Sequence, residues 1–321
     1  MAYLTYNGNG SGGESETYKV ISMFSGCGGM DLGFRGGFSV FGKTYDPLPF
    51  RIIWANDLSF AACRTYRRNL GDNVYCGDIW QALGRIPTRA DVVTGGFPCQ
   101  DISINGKRAG VDGVRSGLYR AMVEVIARCK PKIFVAENVK GLLQRYNRES
   151  LARVLADFAA LGYNLSYSLY LAADYEVPQM RQRVFIVGTS QGVKPFRPPW
   201  PIRQKGDWMT SEQAIADLET MDECEASNHI WSRAERSPEQ GNRKLKADQP
   251  ADTIRAECHG NIQFHYRLER RISMREAARL QSFPDDFIFA AKLRETERQV
   301  GNAVPPVLAW HIAKAVSECL S

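Results

Sequence analysis

Short apolar runs alternate with amphipathic stretches along this chain. Seven runs are rich in apolar and β-branched residues and predict strands: residues 18–24, 50–55, 73–76, 91–94, 132–136, 163–172 and 184–188. Between them, 58–70, 118–129 and 150–161 have helical character, and in the last Leu151, Val154, Leu155 and Phe158 fall on one face. Strands that alternate with helices predict an α/β protein whose mostly parallel sheet carries helices on both faces.

Polar elements follow the first three predicted strands. The loop Ser25-Gly26-Cys27-Gly28-Gly29 follows the first, Asp57 ends the second and Asp78 follows the third. A strand, a glycine loop and a helix start are typical of a nucleotide-type cofactor site, and an acidic residue after the second strand can bind ribose hydroxyls. The alternatives are a tight turn for the loop and helix caps for the two aspartates.

The fourth strand leads into Gly95-Gly96-Phe97-Pro98-Cys99-Gln100, a stiff turn that would present a thiol to a cleft. Cys99 is a candidate nucleophile, although a small buried hydrophobe is the alternative. The following residues, 101–117, have no steady period and contain Lys107, Arg108 and Arg115. They predict either an active-site lid or a solvated basic loop.

Two later strands carry charged groups. Glu137 and Asn138 end the fifth strand, where a carboxylate in apolar surroundings is placed for acid–base chemistry with a raised pKa. A capping or salt-bridging glutamate is the alternative. Arg181 and Arg183 alternate at strand spacing, which predicts that they share a face suited to an anionic or carbonyl-rich ligand.

Composition limits the class of protein. The 321 residues are 44% hydrophobic, which is normal for a chain that buries a core, and no apolar run is long enough to span a membrane. Eight cysteines without CxxC pairs indicate neither a zinc site nor a disulfide framework, so we expect no metal and a reducing cytoplasm. The net charge of +6 permits nucleic-acid binding without demonstrating it.

The pattern changes after residue 190. Residues 232–275 hold ten Lys/Arg against six Asp/Glu with aromatic residues interspersed, which fits a small, irregular, β-rich domain that reads nucleic acid. A solvated surface is the alternative. A serine-capped helix is predicted from Ser273 and a closing helix over 307–319, with Gly301-Asn302 forming a firm turn before it.

The order of these motifs strongly resembles the DNA (cytosine-5)-methyltransferase family of bacterial or phage restriction-modification type. The matching segments are Phe24-Ser25-Gly26-Cys27-Gly28-Gly29, Pro98-Cys99-Gln100, Glu137-Asn138-Val139, Gln179-Met180-Arg181-Gln182-Arg183, Arg275-Glu276-Ala277-Ala278-Arg279 and Gly301-Asn302-Ala303-Val304. The resemblance implies a Rossmann-like sheet of the S-adenosylmethionine-dependent methyltransferase type, with a smaller irregular β-rich target-recognition domain.

The same resemblance implies catalytic roles. Cys99 would add to C6 of cytosine, which makes C5 nucleophilic. Glu137 would hydrogen-bond N3 and N4 of the base, Arg183 with Arg181 nearby would bind its O2 and the backbone, and Asn138 would brace the Pro-Cys turn. The target base would flip out of the duplex, and residues 101–117 would close over it.

S-adenosylmethionine is the implied cofactor. The residues that match its contacts in the family are Phe24, Ser25, Gly26, Gly28, Gly29, Asp57, Asp78, Ile79, Pro98, Asn302 and Val304. Asp57 matches the ribose ligand, Asp78-Ile79 the adenine contact, and Asn302 and Val304 the contacts of the closing segment.

The implied organisation is a disordered tail over 1–17, a catalytic and cofactor-binding domain over 18–190 and 297–321, and a target-recognition domain with hinge over 191–296. We expect a cytoplasmic monomer that acts on double-stranded DNA, associates with the nucleoid when bound to it, and has no membrane partner. A cognate restriction endonuclease for the same site stays open.

Three alternatives remain at this point. The first is cytosine-5 methylation of transfer RNA on the same scaffold, although the roughly 80 residues between the paired-arginine strand and the Arg-Glu helix favour DNA. The second is a nicotinamide-dependent oxidoreductase, based on the glycine loop and acidic strand end alone. The third is a binding module without catalysis.

Overall fold

The computed structural model describes residues 17–97, 117–235, 243–256 and 263–321. Pro98, Cys99 and almost all of the predicted lid therefore lie outside the described residues, as does the predicted N-terminal tail up to residue 16.

A seven-stranded sheet forms the centre of the protein, in the order β5-β4-β1-β6-β7-β9-β8. The first five strands of that order are parallel, whereas β9 runs antiparallel to both of its neighbours. A separate two-stranded hairpin consists of β2 and β3. The strands are β1 Tyr18–Met23, β2 Phe38–Val40, β3 Lys43–Tyr45, β4 Phe50–Asp57, β5 Val74–Cys76, β6 Val92–Gly96, β7 Ile133–Val139, β8 Asn164–Leu171 and β9 Gln182–Thr189.

The parallel strands confirm the predicted α/β class. Chain order runs outward from β1 in both directions, so the carboxyl ends of β1, β4 and β6 meet where ligands bind in open α/β sheets. The helices are α1 Gly29–Arg35, α2 Phe60–Asn69, α3 Ile79–Ala82, α4 Leu118–Cys129, α5 Arg148–Ala159, α6 Ser211–Ile215, α7 Met274–Leu280, α8 Leu293–Asn302 and α9 Pro306–Leu320.

Hydrophobic cores cover both faces of the sheet because successive strand residues point to opposite sides. Val92 packs with α1 and α9, whereas its neighbour Val93 packs with α4 and α5. The core on the α1 side also includes Ile254, Ile272 and further buried apolar residues from the segment after 190. That segment is therefore anchored on the body of the protein.

The segment after 190 contains less β structure than its sequence predicts. Its described residues form no named strand and pair only through isolated bridges, such as Lys244 with Phe264 and Phe264 with Arg271. Side chains hold it together instead: Ser273 and Glu276 form a reciprocal capping box at α7, and Arg270 makes two 2.8 Å bonds to the buried Glu276.

The predicted turn at Gly301-Asn302 is wrong. Both residues complete the last turn of α8, and the chain turns at Ala303. The proline that follows led to this prediction, but Pro305 acts one step later as the N-cap of α9, with Pro306 in its first turn.

Candidate active site

The glycine loop after β1 is held against the end of β4 by its main chain. The Ser25 N–H donates to the Asn56 carbonyl at 2.8 Å, and the Gly26 N–H donates to the Asp57 carboxylate at 2.8 Å. Gly28, the N-cap of α1, has φ 97°, and a Cβ there would lie 2.2 Å from Leu70. Only glycine therefore fits this point of the loop.

Asp57 and Asp78 lie on neighbouring strand ends. Asn56 joins them, because its amide donates to the carbonyls of Tyr75 and Gly77. The second oxygen of Asp57 accepts the Ser59 N–H, and burial raises the pKa of this carboxyl although those N–H donors oppose the shift. Asp78 caps α3 by accepting the Trp80 N–H at 3.0 Å. The capping alternative is thus observed for Asp78, which leaves its second oxygen for a ligand.

The closing segment before α9 contacts the glycine loop directly. A Cβ on Gly29 would lie 2.4 Å from the Val304 carbonyl, so the two backbones pack together. Val304 is buried beside the loop, whereas Asn302 is exposed. The sheet edge thus brings together the loop, the two aspartates and the closing segment, as the sequence predicts.

Apolar surface flanks this edge. Leu58 is 75% exposed and Phe60 is 66% exposed, directly after Asp57. Nothing among the described residues lies within 4 Å of where a Cβ of Gly26 would be. A buried carboxylate, main-chain groups and exposed apolar side chains suit a ligand with hydroxyls and a flat ring.

Glu137 and Arg183 form an ion pair at the ends of adjacent strands, with Arg183 Nε 2.8 Å from Glu137 Oε1. Burial raises the pKa of Glu137, and Arg183 partly offsets that rise. The alignment of the pair leaves Oε1 without a hydrogen-bond donor among the described residues. The protonated carboxyl can therefore offer one donor and one acceptor to a polar ligand.

Asn138 connects this pair to the candidate nucleophile's turn. Its side-chain amide donates to the Phe97 carbonyl at 3.0 Å, and Phe97 directly precedes Pro98-Cys99. The bracing role predicted for Asn138 is supported as far as residue 97. Cys99 and Pro98 themselves lie outside the described residues.

Arg181 occupies a different environment from Arg183. It is fully buried, and its guanidinium donates to the carbonyls of Ile254, Gly301 and Ala303 at 2.9–3.0 Å. Those bonds join the turn before β9 to Ile254, in the segment after 190, and to the end of α8. The structure thus brings Arg183 to Glu137, whereas Arg181 is engaged with main-chain carbonyls.

Gln179 and Gln281 extend this buried cluster. Gln179 accepts the Ile254 N–H at 3.0 Å and donates to the Leu280 carbonyl, and Gln281 donates to the Ala303 carbonyl at 2.6 Å. Arg181, Gln179 and Gln281 together form what we call the carbonyl clamp. Sequence reasoning missed the two glutamines, because a buried amide has no distinguishing pattern in one sequence.

Gly96 and Asn56 were also missed. A Cβ on Gly96 would lie 3.1 Å from Glu137 Oε2, so glycine keeps space beside the carboxylate. Their position could have identified both residues. Each lies at or next to the carboxyl end of a strand that carries or precedes a predicted site residue.

Comparison with known proteins identifies what this chain is similar to. The family model for C-5 cytosine-specific DNA methylases matches residues 18–247 and, in a second segment, 202–318. Type II methyltransferase M.NgoFVII of Neisseria gonorrhoeae is 36% identical over 93% of this chain and 86% of its own. Type II methyltransferase M.FnuDI of Fusobacterium nucleatum is 33% identical over 94% and 95%.

Solved structures show the same fold. A DNA modification methyltransferase encoded within an Escherichia coli prophage superposes with a TM-score of 0.70 at 21% identity, covering 95% of this chain and 99% of that one. The Dnmt2 methyltransferase of S. pombe gives 0.69 at 18% identity, covering 94% and 99%. Among the described residues of this chain, none of the helices has the length and hydropathy to cross a membrane.

Proposed function

The chain belongs to the C-5 cytosine-specific DNA methylase family, and from that premise we propose that it methylates C5 of a flipped-out cytosine in a specific duplex DNA sequence, with S-adenosylmethionine as donor. The observation that supports this best is the position of Glu137. Its carboxyl is ion-paired with Arg183 on the sheet edge that holds the glycine loop, and the neighbouring Asn138 donates to Phe97, which precedes Pro98-Cys99.

Glu137 and Arg183 bind the base in this proposal. A protonated Glu137 donates to cytosine N3 and accepts from the N4 amino group, and the raised pKa favours that protonated form. Arg183 binds the O2 carbonyl of the base through Nη2, since Nε faces Glu137 and Nη1 donates to the Gln182 carbonyl at 2.8 Å. Arg181 contributes by holding the strand that carries Arg183, rather than through the base contact predicted from the sequence.

Cys99 is the nucleophile. Its thiolate forms a bond to C6 while the ring accepts a proton at N3 from Glu137, which leaves C5 electron-rich. After C5 is methylated, a base removes the C5 proton, the C6–S bond breaks, Cys99 leaves as the thiolate and Glu137 takes back the proton from N3. Sulfur suits both steps because it is a good nucleophile and a good leaving group.

The residues around the glycine loop fit S-adenosylmethionine, which supplies an electrophilic methyl group when bound. The Asp57 carboxylate would bind the ribose hydroxyls, Leu58 and Phe60 would offer apolar surface to the adenine, and Asp78-Ile79 would contact its edge. The methionine part would be held by Phe24, Ser25, Gly26, Gly28, Gly29 and Pro98, and Asn302 and Val304 would close the site. The uncovered surface at Gly26 supports this assignment.

Residues 18–190 with the C-terminal helices form the catalytic part in this proposal, and the segment after 190 reads the target. Residue 297 lies inside α8, so a boundary at Lys292, the N-cap of that helix, fits the structure better. The relatives named type II methyltransferases place the chain among the methyltransferases of restriction-modification systems. A cognate endonuclease for the same site is the corresponding partner.

Covalent trapping tests this mechanism. Duplex DNA in which 5-fluorocytosine replaces cytosine cannot lose a proton from C5, so with S-adenosylmethionine the protein should remain bound to it in denaturing electrophoresis. Cys99→Ser should form no adduct yet bind S-adenosylmethionine with unchanged affinity. Turnover on normal DNA without any trapped adduct would contradict the mechanism.

A further inference from the structure

Three cations with no acidic partner lie just beyond the catalytic glutamate. Lys140, Arg145 and Arg148 follow the end of β7 and are exposed, and none of them makes an ion pair with another described residue. Tyr146, between them in sequence, is 68% exposed. Residues 140–148 contain no carboxylate. We call them the exit segment.

The exit segment has a fixed shape. Two short 3-10 turns lead into α5, and the Asn147 amide donates to the Gly141 carbonyl at 2.8 Å. Leu142 is fully buried, and the first turn packs against β9. Lys140 and Arg148 are therefore presented from a folded surface that lies beside the Glu137–Arg183 pair.

The arginines in the segment after residue 190 differ from these three cations in the partners that they already have. Many of them are bound within the protein, to carboxylates or main-chain carbonyls: Arg203, Arg233, Arg267, Arg270, Arg271, Arg275 and Arg279. A guanidinium that already holds a buried carboxylate, as Arg270 holds Glu276, is not available for phosphate. The basic composition of that segment therefore overstates the charge that it offers to a ligand.

We propose that the exit segment binds the phosphate backbone of the duplex beside the flipped cytosine, through Lys140, Arg145 and Arg148. This inference rests on the proposed function, because a flipped nucleotide stays joined to its neighbours and a base at Glu137 brings the flanking phosphates to this edge. Exposed lysine and arginine side chains suit a phosphate backbone, and an exposed aromatic ring such as that of Tyr146 can stack on an unpaired base.

Salt-dependent DNA binding tests the proposal. The test variant is Lys140→Gln/Arg145→Gln/Arg148→Gln, and the matched control is Lys19→Gln/Arg51→Gln/Lys130→Gln, three exposed cations at or near the amino ends of the strands. Binding of a short random-sequence duplex is measured by fluorescence anisotropy at several salt concentrations. That probe requires neither a known target site nor turnover.

The exit-segment variant should bind the duplex about tenfold or more weakly, with a slope of log K against log salt lower by up to about three. The control should keep the slope of the unaltered protein. S-adenosylmethionine affinity should be the same in all three proteins, which shows that they are folded.

Equal slopes in both variants would overturn the proposal, as would weakened binding of transfer RNA with unchanged binding of duplex DNA. Failure of the proposed function would appear elsewhere, as an unaltered protein that binds DNA without methylating it.

Discussion

Arg181 and Arg183 are two residues apart in the chain but bind different acceptors and have different roles. Arg183 forms an ion pair with the buried Glu137 carboxyl, and no aligned hydrogen-bond donor reaches Glu137 Oε1 among the described residues, so this pair can accept a ligand. Arg181 is surrounded by three carbonyls of its own chain, one from Ile254 and two from the end of α8. The difference shows that of two arginines at the start of β9 one can take part in chemistry and the other can stabilise the fold, depending on the acceptor that each binds.

The largest expected effect is on catalysis, at the Glu137–Arg183 pair. Glu137→Gln keeps the size of the side chain but cannot deliver a proton to N3, so kcat/KM for DNA should fall about 10²- to 10⁴-fold. The midpoint of urea unfolding should change little. Retention of full activity would remove Glu137 from the mechanism.

Substitution of Arg181 should lower the stability of the fold. Arg181→Met removes the side-chain donor to the buried carbonyls of Ile254 and Gly301, whereas that of Ala303 keeps the Gln281 amide, and the free energy of unfolding should fall by about 3–5 kcal/mol. Arg183→Met is the matched control and should lose less, because the pKa of the buried Glu137 is already raised and its carboxyl can take up a proton. Urea unfolding of both variants measures this, and equal losses would contradict the division of roles.

Asp31 is a third buried ionisable residue, and no described cation forms an ion pair with it. Asp31 accepts the hydroxyls of Ser22 at 2.6 Å and Tyr66 at 2.8 Å, and burial raises its pKa to about 6. The folded state then keeps this proton to higher pH than the unfolded state, so its contribution to stability falls as the pH rises from about 4 to 6.

That fall should amount to roughly 3 kcal/mol, since a tenfold change in acid dissociation constant is worth about 1.4 kcal/mol. Asp31→Asn should flatten the dependence of unfolding on pH across this window. Unfolding curves measured at pH 4, 5, 6 and 7 test it, and an unchanged pH profile in the variant would show that another group is responsible.

The smallest expected effect is the loss of stability when the segments joined by the carbonyl clamp are forced apart. A Cβ at Gly301 would lie 2.4 Å from the backbone at Arg255 and Ala256, so Gly301→Ala should cost about 1–3 kcal/mol of stability. Gly84→Ala, where nothing lies within 4 Å, is the control and should cost less than about 0.5 kcal/mol. Similar costs at both positions would show that the segments can separate freely.

The alternation of strands and helices and the placement of the glycine loop, Asp57, Asp78 and Glu137 at strand ends could be predicted from the sequence. Each of these groups ends an apolar run, and parallel strands bring their carboxyl ends to one edge. Val304 was placed by its motif alone, and its contact with Gly29 depends on how α9 packs against α1, which periodicity does not encode.

The partners of the polar residues could not be predicted. Strand spacing placed Arg181 and Arg183 on a shared face, but the clamp around Arg181 requires carbonyls more than 70 residues away in sequence. Likewise, the basic residues after 232 were expected to meet nucleic acid, while many of them pair with acidic residues within the fold. Charge counted along a sequence does not distinguish these outcomes.

The most direct test of the account is the identity of the methylated base. The protein is incubated with S-adenosylmethionine carrying a tritiated methyl group and either duplex DNA or transfer RNA, and the nucleosides are then separated by chromatography. The account predicts label in 5-methylcytosine from DNA, none in RNA, and none at all with Cys99→Ser. Label confined to RNA, or found on an exocyclic nitrogen of a DNA base, would contradict it.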